Sequence, residues 1–144
     1  MTTRNLLLIS AALFGAVGCA PASEATGASP APLPTAVNCA DASTLKARAA
    51  DARRHMAQQT GDRAKIISGN RAKFLASLAV VAELRCKANA GDVEALLEKA
   101  LEVGRAAETN RSEYEAARAW TEADLVAAEA LALLVKQLPA PPSR

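Results

Sequence analysis

The middle of the sequence carries a row of apolar residues at helical spacing. Successive members are four, three and four residues apart: Leu45, Ala49, Ala52 and Met56. Residues at these spacings share one face of an α-helix. The row therefore predicts a first helix over about 41–60.

A second apolar row predicts a second helix over about 62–88. Its members are Ile67, Phe74, Leu78 and Val81, with Ile66, Val80 and Leu84 beside them. The dipeptide Gly61-Asp62 precedes this row, and it is typical of a junction because Gly suits the residue past a helix end and Asp caps the next helix. Gly69 lies inside the predicted helix, where it costs about 1 kcal/mol relative to Ala and is a candidate kink.

A third row follows the second junction, Gly91-Asp92, and keeps one heptad phase for more than forty residues. Its members are Leu96, Ala100, Val103, Ala107, Tyr114, Ala117, Ala128, Leu131, Val135 and Leu138. A continuous helix of about 46 residues would be about 70 Å long and would extend beyond the first two. Breaks are conceivable at 109–112 and 120–121, but neither site holds Gly or Pro, so the pattern favours a continuous or kinked helix.

Composition agrees with an all-helical fold. No proline occurs between Thr35 and Leu138, and 36 of the 144 residues are Ala. Proline breaks helices and alanine favours them. The fold class expected is all-α: an antiparallel helical hairpin packed on a long C-terminal helix, giving a three- or four-helix bundle over 38–138. Residues 139–144, with three prolines, form a tail.

The N-terminus has the layout of a secretory signal peptide over 1–18. One cation, Arg4, precedes the largely apolar run from Leu6 to Val17, and small residues follow. Twelve residues are too few for a transmembrane helix, which needs about 20.

Ala16-Val17-Gly18-Cys19 resembles the lipobox of bacterial lipoprotein precursors. The resemblance covers about the first twenty residues, and Ala16 stands where Leu is commonest. It implies cleavage before Cys19, lipidation of that thiol, and attachment to a membrane through the lipid. Ala20 follows where an Asp would imply retention in the inner membrane, so the resemblance favours the outer membrane of the cell envelope. No family is identified for the remaining chain.

Residues 19–37 are predicted to combine the lipidated cysteine with a tether. Residues 20–37 hold four prolines and show no apolar period. Such a segment buries too little surface to offset the entropy lost on ordering. A proline-rich ligand for a partner's groove is the alternative interpretation, but flanking basic residues are missing.

The two other cysteines, Cys39 and Cys86, are predicted to form a disulfide, because an exported chain with an even number of remaining cysteines favours pairing. The midpoint of their numbers is 62.5, at the Gly61-Asp62 junction. Residues equidistant from the turn face each other in an antiparallel hairpin. Two free thiols are the alternative, and with one distant His55 the pair lacks the ligand spacing of a zinc site.

The charges are balanced overall but divided along the chain. Residues 41–90 hold ten Lys/Arg and four Asp/Glu, whereas residues 91–138 hold five and ten. The favoured interpretation is pairing between the basic hairpin and the acidic third helix. The alternative is a basic face that contacts anionic lipid headgroups or glycans. That candidate face consists of Lys46, Arg53, Arg54, Arg63, Lys65, Arg71 and Lys73.

No catalytic, metal-binding or cofactor motif is evident, and scarce aromatics argue against nucleic-acid binding. Tyr114 and Trp120 are expected in the core, and either becomes a candidate partner contact if exposed. The sequence thus predicts a non-catalytic, lipid-anchored helical interaction module of the bacterial cell envelope, acting on an unidentified envelope protein or on copies of itself. The alternatives are an oligomeric coiled-coil spacer and a binder of anionic headgroups or glycans.

Overall fold

The computed structural model describes residues 31–87 and 91–139, and all regular structure in these residues is helical. Helix α1 spans Ala42–Gln58, α2 spans Asp62–Arg85, α3 spans Glu94–Thr109 and α4 spans Glu113–Gln137. Short 3₁₀ turns, Cys39–Asp41 and Gly91–Val93, precede α1 and α3. The all-α fold class is confirmed, with four helices. The predicted signal peptide and the predicted lipidation site Cys19 lie outside the described residues, as do the rest of 1–30, 88–90 and 140–144.

The hairpin and its disulfide are confirmed. Helix α1 packs against α2 in antiparallel orientation, and an ion pair joins Lys46 to Glu83. Cys39 and Cys86 are bonded, with their Cα atoms 5.3 Å apart. The turn lies at the predicted junction, although Gly61 is extended, with φ −91°, rather than left-handed. Helix α2 runs through Gly69 without interruption.

The favoured continuous or kinked third helix is wrong, because the chain breaks between α3 and α4, at the first of the two conceivable break sites, 109–112. The Oδ1 atom of Asn110 accepts a hydrogen bond from the Ser112 amide at 3.0 Å, and the Ser112 hydroxyl caps α4 by accepting from the Glu115 amide at 3.4 Å. Asn and Ser compete well for backbone groups, so they end and restart a helix without Gly or Pro. The break lets α4 fold back along α3 and keeps both helices within the bundle.

The break also changes which residues of the third row are buried. The buried side of α4 consists of Ala116, Trp120, Ala123, Val126, Ala127, Ala130 and Leu134. Tyr114 and Val135, which the single heptad phase placed on the packed face, are 71% and 53% exposed. The phase carried from α3 into α4 was therefore wrong.

The helices pack in the order α1, α2, α4, α3, and no Cα atoms of α1 and α3 lie within 8 Å of each other. Residues 31–37, which we call the strap, contact both of these helices. Leu33 and Val37 are buried in the core. Arg48 of α1 donates hydrogen bonds to the carbonyl oxygens of Ala31 and Pro32, and Arg105 of α3 donates to that of Pro34.

The strap corrects the predicted boundary between tether and helical domain. The sequence predicts that the tether extends to residue 37, but the packed unit already begins at Ala31. Burial lowers the pKa of the Arg48 guanidinium, the neighbouring Arg71 lowers it further, and Glu108 opposes the shift. The partial burial of Arg48 and its hydrogen bonds to Ala31 and Pro32 fit a segment that belongs to the fold.

Candidate functional site

Trp120 lies in the core, which removes it from the candidate partner contacts. Its side chain is 2% exposed, and its ring centroid lies 5.6 Å from that of Phe74. The guanidinium carbon of Arg71 lies 5.8 Å from the Trp120 ring and its Nη2 atom lies 3.0 Å from Oε1 of Glu108. The Trp120 ring is thus contacted by the Phe74 ring and by the guanidinium group of Arg71.

The seven predicted basic residues do not form one free surface. Arg71 is committed to Glu108 and Trp120, and its side chain is only 19% exposed. Lys46 pairs with Glu83 and Arg54 with Asp51. The other four are exposed and form no ion pair with described residues: Arg53, Arg63, Lys65 and Lys73.

Two of the ion pairs join the basic hairpin to the acidic half of the chain. Arg71 of α2 pairs with Glu108 of α3, and Arg85 of α2 pairs with Glu94 of α3. Arg85 also donates to the carbonyl oxygen of Val37, so it joins the strap, α2 and α3. Two of the ten Lys and Arg residues of 41–90 thus pair with the acidic half, so the predicted pairing accounts for part of the charge division. The contribution of the exposed pairs to stability is small, about 0–1 kcal/mol each.

Tyr114 is the predicted contact residue that remains available. It lies in the first turn of α4, directly after the Ser112 cap, and its side chain is 71% exposed. Together with Ile66 of α2, which is 53% exposed, it lines a cleft of about 440 Å³. Ala117 forms part of the same lining, and Arg63 and Glu113 are the charged residues of the cleft.

The cleft is part of a larger apolar face, which we call the α2–α4 face. Five large apolar side chains are exposed in the described residues: Ile66, Val80, Tyr114, Leu125 and Val135. All five belong to α2 or α4, which are in direct contact. Scattered single apolar residues are normal on a protein surface, whereas a concentration on two adjacent helices is typical of an interaction site.

Polar contacts between the two helices fix the geometry of this face. Asn70 Nδ2 donates to Thr121 Oγ1 at 2.9 Å, and Ser77 Oγ donates to Asp124 Oδ1 at 2.9 Å. Both contacts join positions that rise together along α2 and α4, so the helices run parallel. The sequence pattern missed this face because it assigned Tyr114 and Val135 to a packed row.

Comparisons with known proteins identify no family: no family model matches the chain, and no curated protein or solved structure matches it. The face must therefore be interpreted from its own chemistry. Within residues 31–87 and 91–139, no three His, Cys, Asp or Glu side chains are grouped so as to hold a metal ion. No helix there is long and apolar enough to cross a membrane. The face offers apolar area with charged borders, which is suited to binding a protein surface.

Proposed function

We propose that this chain is a lipid-anchored, non-catalytic interaction module of the bacterial cell envelope, with the outer membrane as its site. The observation that carries the proposal is the exposed apolar α2–α4 face, centred on Tyr114. Tyrosine is enriched among residues that dominate binding energy, because it adds a large apolar ring and a polar hydroxyl at low entropic cost.

Two further features support the envelope part of this proposal. Ala16-Val17-Gly18-Cys19 resembles a lipobox, and Cys39 and Cys86 form a disulfide, which persists mainly in oxidising compartments. In this scheme the lipid on Cys19 attaches the chain to the membrane, and the strap packs against the helices at the start of the helical domain. The twelve peptide steps from Cys19 to Ala31 span at most about 40 Å, which limits the reach of the domain.

The interaction module is favoured over the two alternatives. A coiled-coil spacer was suggested by one long helix, but the chain turns back between Thr109 and Glu113. A basic binding face was suggested by seven cations, of which Lys46, Arg54 and Arg71 are paired within the fold. Neither alternative makes use of the exposed apolar side chains.

The membrane part is tested by growing the expressing bacterium with an alkyne-bearing fatty acid. We expect the wild-type chain to incorporate the label and fractionate with the outer membrane, and Cys19→Ala to incorporate none. Cys39→Ser is the matched control, since it also removes one thiol but should keep the label when labelling is compared per amount of chain recovered. Equal labelling of Cys19→Ala and wild type would contradict the proposed anchor.

The interaction part is tested with a photo-crosslinking amino acid in the same cells. Placed at Tyr114, it should give a discrete adduct band, whereas placed at the exposed Thr44 of α1 it should give none. Adducts of equal yield from both positions would mean that contacts at Tyr114 are no more than chance encounters, and the α2–α4 face would lose its assigned role.

A further inference from the structure

Two rows of exposed residues border the groove between α2 and α4. The α2 row has members seven residues apart and consists of Ile66, Lys73 and Val80. The α4 row has spacings of seven, four, three and four residues and consists of Tyr114, Thr121, Leu125, Ala128 and Ala132. Residues at such spacings share one helix face. Ile66 and Tyr114 line the same cleft, so both rows lie on one side of the molecule.

The register between α2 and α4 places a cation and an anion at the same position along the helix axes, which we call the same height. The hydrogen bonds from Asn70 to Thr121 and from Ser77 to Asp124 join positions 51 and 47 apart. Their mean offset of about 49 places Lys73 level with Glu122, since 73 + 49 = 122. Both side chains are exposed, and neither forms an ion pair with a described residue.

The far border of the α4 row is acidic. Glu115, Glu122 and Glu129 are exposed and seven residues apart; Arg118 lies among them and the same spacing ends at the exposed Lys136, so this border carries a net charge of −1. The α2 row carries Lys73, and the exposed Asp62 lies one turn before Ile66. The α2–α4 face therefore combines exposed apolar side chains with a cation, Lys73, on the α2 side and an anion, Glu122, level with it on the α4 side.

The Lys73 and Glu122 positions are complementary to those of a second copy in one orientation. A two-fold axis parallel to the helices leaves heights unchanged and exchanges the two sides, so α2 of each copy lies over α4 of the other. Lys73 of each copy then faces Glu122 of the other. A two-fold axis across the helices instead places α2 over α2 and α4 over α4, so that Lys73 does not face Glu122.

We infer that the α2–α4 face binds a second copy of this chain, forming a parallel two-fold dimer. This inference rests on the proposed function because it uses the same α2–α4 face, and it identifies a second copy of the chain as the partner. Because the axis runs along the helices, Ala31 lies at the same height in both copies. Both lipids can then enter one membrane, and two anchored chains hold more firmly than one.

The test is sedimentation equilibrium of the full chain, with charge reversals that leave the fold untouched. We expect wild type to dimerise, and Lys73→Glu and Glu122→Lys each to weaken the dimer by about tenfold in Kd, because like charges then face each other. The double variant Lys73→Glu/Glu122→Lys should return to within about threefold of wild type. Lys99→Glu, an exposed reversal on α3, is the matched control and should change nothing.

A monomer at all concentrations would overturn the inference, as would a dimer that the single reversals leave unchanged or the double variant fails to restore. These outcomes are separate from failure of the proposed function. Loss of the dimer together with an adduct from Tyr114 to a different chain assigns the face to another protein. Dimerisation without acyl labelling keeps this inference and removes the membrane anchor.

Discussion

Gly104 is the position where one added methyl group most directly tests the packing of the strap. It is buried in α3, and a Cβ atom built there would lie 2.8 Å from Cδ1 of Leu33. It would also lie 2.9 Å and 3.1 Å from two ring atoms of Phe74. Phe74 is fully buried and contacts Trp120, so its ring cannot retreat without disturbing the core. Gly104→Ala is therefore an overpacking mutation.

The magnitude follows from two opposing effects. Replacing a mid-helix Gly by Ala stabilises a helix by about 1 kcal/mol. Inserting a methyl group into a well-packed core costs about 1–3 kcal/mol. We expect the free energy of unfolding of Gly104→Ala to fall by about 0–2 kcal/mol, whereas exposed Gly→Ala changes in helices raise it.

Gly69→Ala is the matched control, because it also replaces a mid-helix Gly by Ala and gains the same helix propensity, but its new methyl group does not clash with the core. Its Cβ would lie 3.1 Å from the sulfur of Met56, the end of a flexible and partly exposed side chain. We expect this variant to gain up to about 1 kcal/mol. The difference between the two variants, about 1–3 kcal/mol, then isolates the steric cost at Gly104.

The assay is urea unfolding of the oxidised proteins followed by helical circular dichroism, with linear extrapolation to water. Leu33→Ala in the Gly104→Ala background should recover part of the loss, because it removes one of the clashing partners. Equal stabilisation by Gly104→Ala and Gly69→Ala would refute the close approach of the strap, α3 and Phe74.

Three further predictions use the same unfolding assay. Cys39→Ser should lower the free energy of unfolding by about 4 kcal/mol, since the Cys39–Cys86 disulfide closes a loop with a sequence separation of 47. An unchanged free energy of unfolding under oxidising conditions would contradict the stabilising role of this disulfide. Trp120→Ala should cost about 3–5 kcal/mol and Tyr114→Ala less than about 0.5, and similar costs would contradict their assigned burial. Leu33→Ala should cost about 2 kcal/mol or more, and a negligible loss would mean that the strap is not part of the core.

The hairpin could be predicted from the sequence because several independent signals agree on it. The apolar row of the first helix, the junction at Gly61-Asp62 and the symmetric placement of Cys39 and Cys86 all specify the same turn. The buried residues Leu45, Ala49 and Ala52 of α1 lie where the spacing placed them. Agreement between local and long-range signals is what makes such a prediction specific.

The strap could not be predicted because its signal is not periodic. Leu33 and Val37 are single apolar residues among prolines and small residues, and composition alone favours an extended tether. They are buried because α1 and α3 leave space between them, and Arg48 and Arg105 donate to the strap's carbonyl groups. Only the tertiary arrangement supplies that space and those donors.

The α2–α4 face escaped prediction for a different reason, which also argues for its importance. The buried side of α4 is mainly alanine, whereas three of its large apolar residues, Tyr114, Leu125 and Val135, point to solvent. Alanine occurs inside and outside helical bundles, so it does not mark the buried row. Fully burying a large apolar side chain contributes about 1.5–3 kcal/mol, and the isolated chain forgoes more than half of this at each of these positions, which are 53–71% exposed. Helices α1 and α3 expose no large apolar side chain, so the forgone burial is concentrated on the face where a second α2–α4 pair would restore it.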